Sequence, residues 1–182
     1  ACLHRDYKMD RYCLYGHSMG ALITAGFMQQ YAPKSCYPEK VFLSAPPIGL
    51  GGAVGQAVKY LPVELFSGLA KIPFSLPMSD MVDLSLLSHD VRVTEAYIQD
   101  DLTLKKLHSK LLIELVKTSK LVFSRPLNIT CPVMCAVGGG DEIVDLASIQ
   151  NYFAKVDKST RLKVIDGAFH EMHNEVARYR DP

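Results

Sequence analysis

The chain has 182 residues, 48% of them hydrophobic and 21% charged, a balance that suits one globular domain with a sizeable core and excludes disorder. A formal net charge of +1, with no clustered basic face, gives no reason to expect nucleic acid as a partner. No apolar run approaches the ~20 residues of a membrane-spanning helix and Ala1 to Asp6 carry no signal-peptide pattern, so a soluble, cytoplasmic protein is expected.

In chain order, Tyr12 to Tyr15 is a short β-leaning run closed by Gly16, and Ala21 to Tyr31 reads as a helix that stops before Pro33. Val41 to Ala45 is a second strand, ended by Pro46 and Pro47, and two strands around a helix make a βαβ unit. From Ile48 to about Ser124 the texture changes. Gly and Pro become frequent, apolar residues are dense between Leu61 and Leu87, and helical segments follow around Val93 to Tyr97 and Leu104 to Val116. This stretch is expected to be an inserted helical cap. The alternation then resumes with a strand at Val133 to Val137, a helix at Leu146 to Val156, a strand at Leu162 to Ile165 and a last helix at Glu171 to Arg180. Such alternation implies a parallel sheet covered by helices on both faces, with ligands bound beyond the carboxyl ends of the strands.

Three chemically distinctive residues are placed just after strands. Gly16-His17-Ser18-Met19-Gly20 matches G-x-S-x-G between a strand and a helix, where neighbours without a Cβ let the chain double back and raise the serine. The following helix directs its N–H groups toward charge developing on a substrate, so the Met19 backbone N–H is a candidate oxyanion donor. A serine hydroxyl needs a base to take its proton. His170 stands in the loop after the strand ending near Ile165 and is the candidate; His173 is its rival, but three residues on it would lie inside the last helix. His17 is expected to turn elsewhere, and His4, His89 and His108 have only generic surroundings. Asp141 follows the strand Val133 to Val137 through Gly138 to Gly140 and is the candidate acid that orients the imidazole. Glu142 and Asp145 are alternatives whose plain reading is helix N-terminal acids. The order serine, acid, histidine is the one used by hydrolases with a nucleophile elbow.

Other features carry less. The five cysteines, Cys2, Cys13, Cys36, Cys131 and Cys135, lack the spacing of a zinc site or a disulfide scaffold and read as buried thiols. His170 and His173 are three apart, not the four of the zinc-protease pattern, so no metal is expected. Asn128 to Thr130 matches a glycosylation pattern that matters only in a secreted chain. Gly49 to Gly55 is out of register for a dinucleotide loop and reads as a cap hinge. The Leu61 to Leu87 run reads first as core packing; were it an entrance for aggregated lipid, Leu65 and Phe66 would be its exposed members.

With these residues in hand, the chain resembles the monoglyceride lipase and lysophospholipase group of α/β-hydrolases, the serine aminopeptidase-like hydrolases. The resemblance covers nearly all of it and rests on Tyr15 to Gly20, Leu43 to Pro46, Ile129 to Val133 leading into Gly138 to Val144, and Gly167 to Glu175; Tyr97 to Leu102 looks like the family's tyrosine and aspartate segment. It implies an α/β-hydrolase fold with an inserted helical cap. Residues 1–47 would then be the nucleophile-bearing part of the core, 48–124 the cap, and 125–182 the part carrying the acid and histidine. It also implies a cofactor-free serine esterase of monoacyl lipids, with Ser18 as nucleophile, His170 as base and Asp141 as acid, and makes the cap a candidate for peripheral membrane contact. A lysophospholipase, a general carboxylesterase and a non-catalytic lipid-binding relative are the rivals; a peptidase lacks an acidic cluster for an amino-terminal substrate. Two departures stand out. Ala21 replaces a common glycine, and the family's early strands, with the His-Gly loop that supplies a second oxyanion donor, have no counterpart, so the chain reads as a fragment truncated at both ends.

Overall fold

Parallel strands buried within a sheet are written as nearly unbroken apolar runs, and those runs lie side by side in the computed structural model of the chain, which describes residues 6–8, 11–33, 37–78, 83–104, 106–156 and 160–181. The elements begin with β1 (Cys13–His17), α1 (Met19–Gln30) and β2 (Lys40–Ser44). Next come α2 (Gly52–Lys59), α3 (Val63–Leu69), β3 (Pro77–Met78), α4 (Val91–Gln99), β4 (Leu107–His108) and α5 (Ser109–Val122). Strand β5 (Val133–Gly138), helix α6 (Leu146–Phe153), strand β6 (Thr160–Ile165) and the short α7 (Ala177–Arg180) complete the order.

The main sheet runs β1-β2-β5-β6, all parallel, with His17 beside Ser44, Ser44 beside Ala136 and Gly138 beside Ile165. That register brings the ends of all four strands to one edge. The core packs Val41, Leu43, Val133, Cys135 and Val137 of the sheet with Ala21, Leu22, Ala25 and Met28 of α1, Val122 of α5, and Ile149 and Phe153 of α6. Ala21 and Ala25, one turn apart and fully buried, let α1 approach closely. Each buried Leu, Val or Phe contributes roughly 1.5–3 kcal/mol relative to exposure. Among the described residues β1 pairs on one side only, and Tyr15 on that strand and Ile23 and Phe27 on α1 are exposed.

Several boundaries differ from the sequence expectation. Helix α1 starts directly after Ser18, because the Ser18 carbonyl accepts from the N–H groups of Ala21 and Leu22. Helix α6 ends at Phe153 rather than Val156, where the chain passes into turns. The helix expected from Leu104 begins only at Ser109, since Leu107 and His108 are drawn into an antiparallel pair with Met78 and Pro77. Helices α2 and α3 were not foreseen. The expected helix from Glu171 to Arg180 is instead a 3₁₀ turn, Met172–Asn174, followed by α7. Glu175 breaks it: its backbone is extended, with ψ 161°, and its carboxylate turns into the core.

The glycines expected to form a hinge have a packing reason. Leu50 bridges Val144, the Gly51 N–H donates to the Ile143 carbonyl, and a Cβ on Gly51 would fall 1.9 Å from the Glu142 carbonyl oxygen. Phe66 is buried, not exposed, whereas Leu65 is exposed. Cys131 and Cys135 are buried free thiols and burial pushes both upward in pKa; Cys13 is exposed, against expectation, because it faces outward on the edge strand. Cys2, Cys36 and His4 lie outside the described residues. Among the described residues no helix is long and apolar enough to cross a membrane.

Candidate active site

Ser18 stands between β1 and α1 with φ 51°, a left-handed conformation that costs a residue bearing a Cβ of order 1–3 kcal/mol. Two features hold it there. The Ser18 N–H donates to the Ser44 carbonyl at 2.8 Å, and the chain turns over Gly16, where a Cβ would come within 2.5 Å of the Gly20 carbonyl oxygen. Gly20 itself faces no such obstacle among the described residues. The Ser18 side chain is half-buried, and Met19 is the first residue of α1, so its N–H belongs to the open, donor-rich end of the helix.

The acid and the histidine meet directly. His170 Nδ1 and Asp141 Oδ2 are 2.8 Å apart, both side chains almost wholly buried. The other carboxylate oxygen of Asp141 accepts from the N–H groups of Ile143 at 2.8 Å and Val144 at 3.1 Å, which fixes the plane of the group. The glycine run makes this contact geometrically possible. A Cβ on Gly138 would lie 2.2 Å from the Ala168 carbonyl oxygen, and the N–H groups of Gly139 and Gly140 donate to Ile165 and Ala168, so the acid loop lies flat against the histidine loop.

The alternative acids are engaged elsewhere. Asp145 caps α6 by accepting from the Ala147 N–H and the Ser148 hydroxyl, and it pairs with Lys59 at 2.8 Å; burial pushes its pKa up, but these partners outweigh that and hold it low. Glu142 is exposed.

Two histidines set aside in the sequence reading belong to the site. His17 does not turn away: its ring lies 4.8 Å from that of His170 and 5.0 Å from that of His173, and its Nδ1 is 3.1 Å from the Ser44 hydroxyl. Burial, reinforced by the neighbouring His170 and His173, lowers its pKa to about 3, while Asp141 pulls weakly the other way. His173 sits in the 3₁₀ turn rather than a helix, with Nδ1 3.3 Å from the Tyr15 hydroxyl. The signal was present, since Tyr15 and His17 alternate onto one face of β1 and His17 is the cross-strand neighbour of Ser44. Among the described residues no hydrogen bond joins the Ser18 hydroxyl to His170, so the structure unites Asp141 and His170 and sets the serine next to a ring, His17, that packs on His170. His108 is remote, near the Ser75 hydroxyl, and His89 partners Glu175, a buried carboxylate that sequence reasoning passed over. Among the described residues no cluster of His, Cys, Asp or Glu has the arrangement to hold a metal ion.

A parallel sheet of this order, with a G-x-S-x-G turn and a buried aspartate–histidine pair at the carboxyl ends of its strands, is that of an α/β-hydrolase. The chain belongs to the family described as serine aminopeptidase, S33, whose model matches residues 2–177. It is 29% identical over 170 residues to the phospholipase YtpA of Bacillus subtilis, covering 91% of this chain and 62% of that protein. It is 24% identical over 169 residues to an uncharacterized abhydrolase domain-containing protein of Dictyostelium discoideum, covering 91% of this chain but 17% of the relative. The crystal structure of a monoacylglycerol lipase from Paleococcus ferrophilus superposes with a TM-score of 0.79 at 22% identity, covering 97% of this chain and 66% of that one. The chain therefore spans less than two thirds of each of these relatives.

Proposed function

We propose that the chain hydrolyses carboxylic esters of monoacyl lipids through an acyl-enzyme formed on Ser18. The observation that carries this reading is the buried His170–Asp141 pair at the sheet edge where Ser18 is held in a strained turn. In the proposed reaction the Ser18 hydroxyl attacks the ester carbonyl while His170 Nε2 takes its proton; Nδ1 remains on Asp141, which stabilises the imidazolium. The tetrahedral oxyanion receives the Met19 N–H, a donor type whose loss costs about 10²-fold to 10³-fold in turnover. The proton passes back to the leaving alcohol, and a water, activated by the same histidine, then releases the fatty acid. His17, neutral at physiological pH, lets His170 carry that positive charge without a second one beside it.

A monoacyl chain suits the apolar cap. Leu61, Leu65, Leu69, Ile72, Phe74 and Leu76 are all exposed there, giving a surface for an acyl chain or for peripheral contact with a lipid interface. A phospholipid head group is the second reading, favoured by the Bacillus relative named a phospholipase. The test is labelling with a fluorophosphonate, followed by turnover of a monoacylglycerol and a lysophospholipid. Labelling that disappears in Ser18→Ala supports the mechanism; undiminished labelling in that variant removes Ser18 from it. Relative turnover of the two lipids decides the head group.

A further inference from the structure

We infer that Glu175 is a positioning residue that locks the loop bearing His170 onto the turn at residues 86–89, an inference that rests on His170 being the base. Glu175 is 1% exposed, and a carboxylate taken out of water is tolerated only where donors replace its hydration. The donors are unusually numerous. One oxygen, Oε1, accepts from the Phe169 N–H at 2.8 Å and pairs with His89 Nδ1 at 2.8 Å. The other, Oε2, accepts from the N–H groups of His89 and Val176, each at 3.1 Å. The Ser88 hydroxyl lies 3.3 Å from Oε2 but has one proton and shares it with the Asn174 carbonyl at 2.9 Å. Burial pushes the Glu175 carboxyl up, yet the bonds from Phe169 and His89 outweigh it and hold the group below the ordinary glutamate value, so it is ionised at neutral pH.

These donors come from two segments far apart in sequence. Phe169 is the residue before His170, and its N–H fixes the peptide that leads into the base. His89 belongs to the turn that precedes α4, and its ring stacks on that of Phe169 with centroids 3.7 Å apart. Between them the His170 and Glu171 N–H groups donate to the Leu86 and Leu87 carbonyls. Glu175 thus closes a ring of contacts, through Phe169, His89 and residues 86–87, around the backbone that carries His170. In Glu175→Gln one of the two accepting oxygens becomes an NH2 group, so two of the four donors lose their acceptor, and the His170 ring is free to shift from the 2.8 Å contact with Asp141. A misplacement of ~1 Å in a catalytic group costs up to about 10²-fold in rate.

The experiment compares Glu175→Gln, Glu175→Asp and His89→Phe with the parent protein, reading the melting transition, kcat and KM on a soluble short-chain ester, and the downfield proton resonance of His170 Nδ1, assigned by its loss in His170→Ala. Glu175→Gln is expected to fold, to lose about 10²-fold in kcat with KM within about threefold, and to shift or broaden the Nδ1 resonance. Glu175→Asp, which keeps the charge, should recover about 10-fold of the loss. His89→Phe preserves the stack on Phe169, removes one donor, and should perturb the same resonance more mildly, so it decides the question if Glu175→Gln fails to fold. An unmoved resonance with parental kcat in the folded variants overturns the inference. If the parent itself resists the fluorophosphonate, the esterase reading fails, and the Nδ1 resonance still reports on positioning independently.

Discussion

Acidification should expose His17 as a stability liability. Its imidazole has a pKa near 3 in the folded chain against an ordinary 6.5, so the unfolded chain binds a proton more tightly than the folded one. The sign follows: the group contributes its full stability above pH 6.5, and that contribution is lost as the pH falls toward 3. Each unit below the ordinary value costs about 1.4 kcal/mol, which gives roughly 2 kcal/mol between pH 8 and pH 5. At pH 5 this loss is governed by the ordinary value alone, because the folded-state value lies well below. A small domain has only about 5–15 kcal/mol in hand, so the effect is large enough to measure. Urea unfolding at pH 8, 7, 6 and 5 of the parent and of His17→Asn isolates it. Asn cannot titrate, and whatever it loses by altering the contact with Ser44 is the same at every pH and subtracts out. The parent should lose about 2 kcal/mol more than the variant across this range. Parallel curves would mean that His17 is solvated or paired in a way that refutes its burial among His170, His173 and Ser44.

Two further comparisons separate residues that look interchangeable in the sequence. Asp141→Asn should leave a folded protein with turnover down by about 10⁴-fold, because the imidazole loses the anion that sets its tautomer. Asp145→Ala should instead cost about 1 kcal/mol through the lost cap of α6, with little change in kcat; the reverse pattern would move the acid role to Asp145. In the proposed cap, Leu65→Ser should slow hydrolysis of micellar long-chain substrate far more than of a soluble short ester, with an unchanged melting point. Phe66→Ala should do the opposite, costing about 3–5 kcal/mol of stability because that ring is buried. Equal effects of Leu65→Ser on both substrates would assign it to structure.

The parallel sheet was legible because each strand is a short apolar run stopped by Gly or Pro, and the proposed triad because each candidate follows such a run. What the one-dimensional reading missed has a common cause. His17, His173 and Glu175 are defined by partners distant in sequence, and their local context carries the wrong suggestion. His173 looked helical because Glu171 to Arg180 has helix-compatible residues; the tertiary demand on Glu175, whose carboxylate must reach Phe169 and His89, overrides that propensity. His17 looked incidental to a motif whose named residues are Gly and Ser, although strand alternation alone places it with Tyr15 on one face. Phe66 and Leu65 are adjacent on α3, and only the packing of that helix tells the inward one from the outward one.

The segment between Pro47 and Ser124 holds both halves of the buried pair. Near its beginning, Gly49 to Gly51 exchange backbone bonds with Ile143 and Asp145, in the loop whose N–H groups orient Asp141. In its middle, Leu86 to His89 bond to the loop that carries His170, directly and through Glu175. The loops of Asp141 and His170 are thus bonded to separate points of residues 48–124, and the exposed apolar residues from Leu61 to Leu76 lie between those points in the chain. The backbone contacts at residues 49–51 and 86–89 thus hold the two sides of the His170–Asp141 hydrogen bond, and in the proposed mechanism that bond sets the basicity of the imidazole.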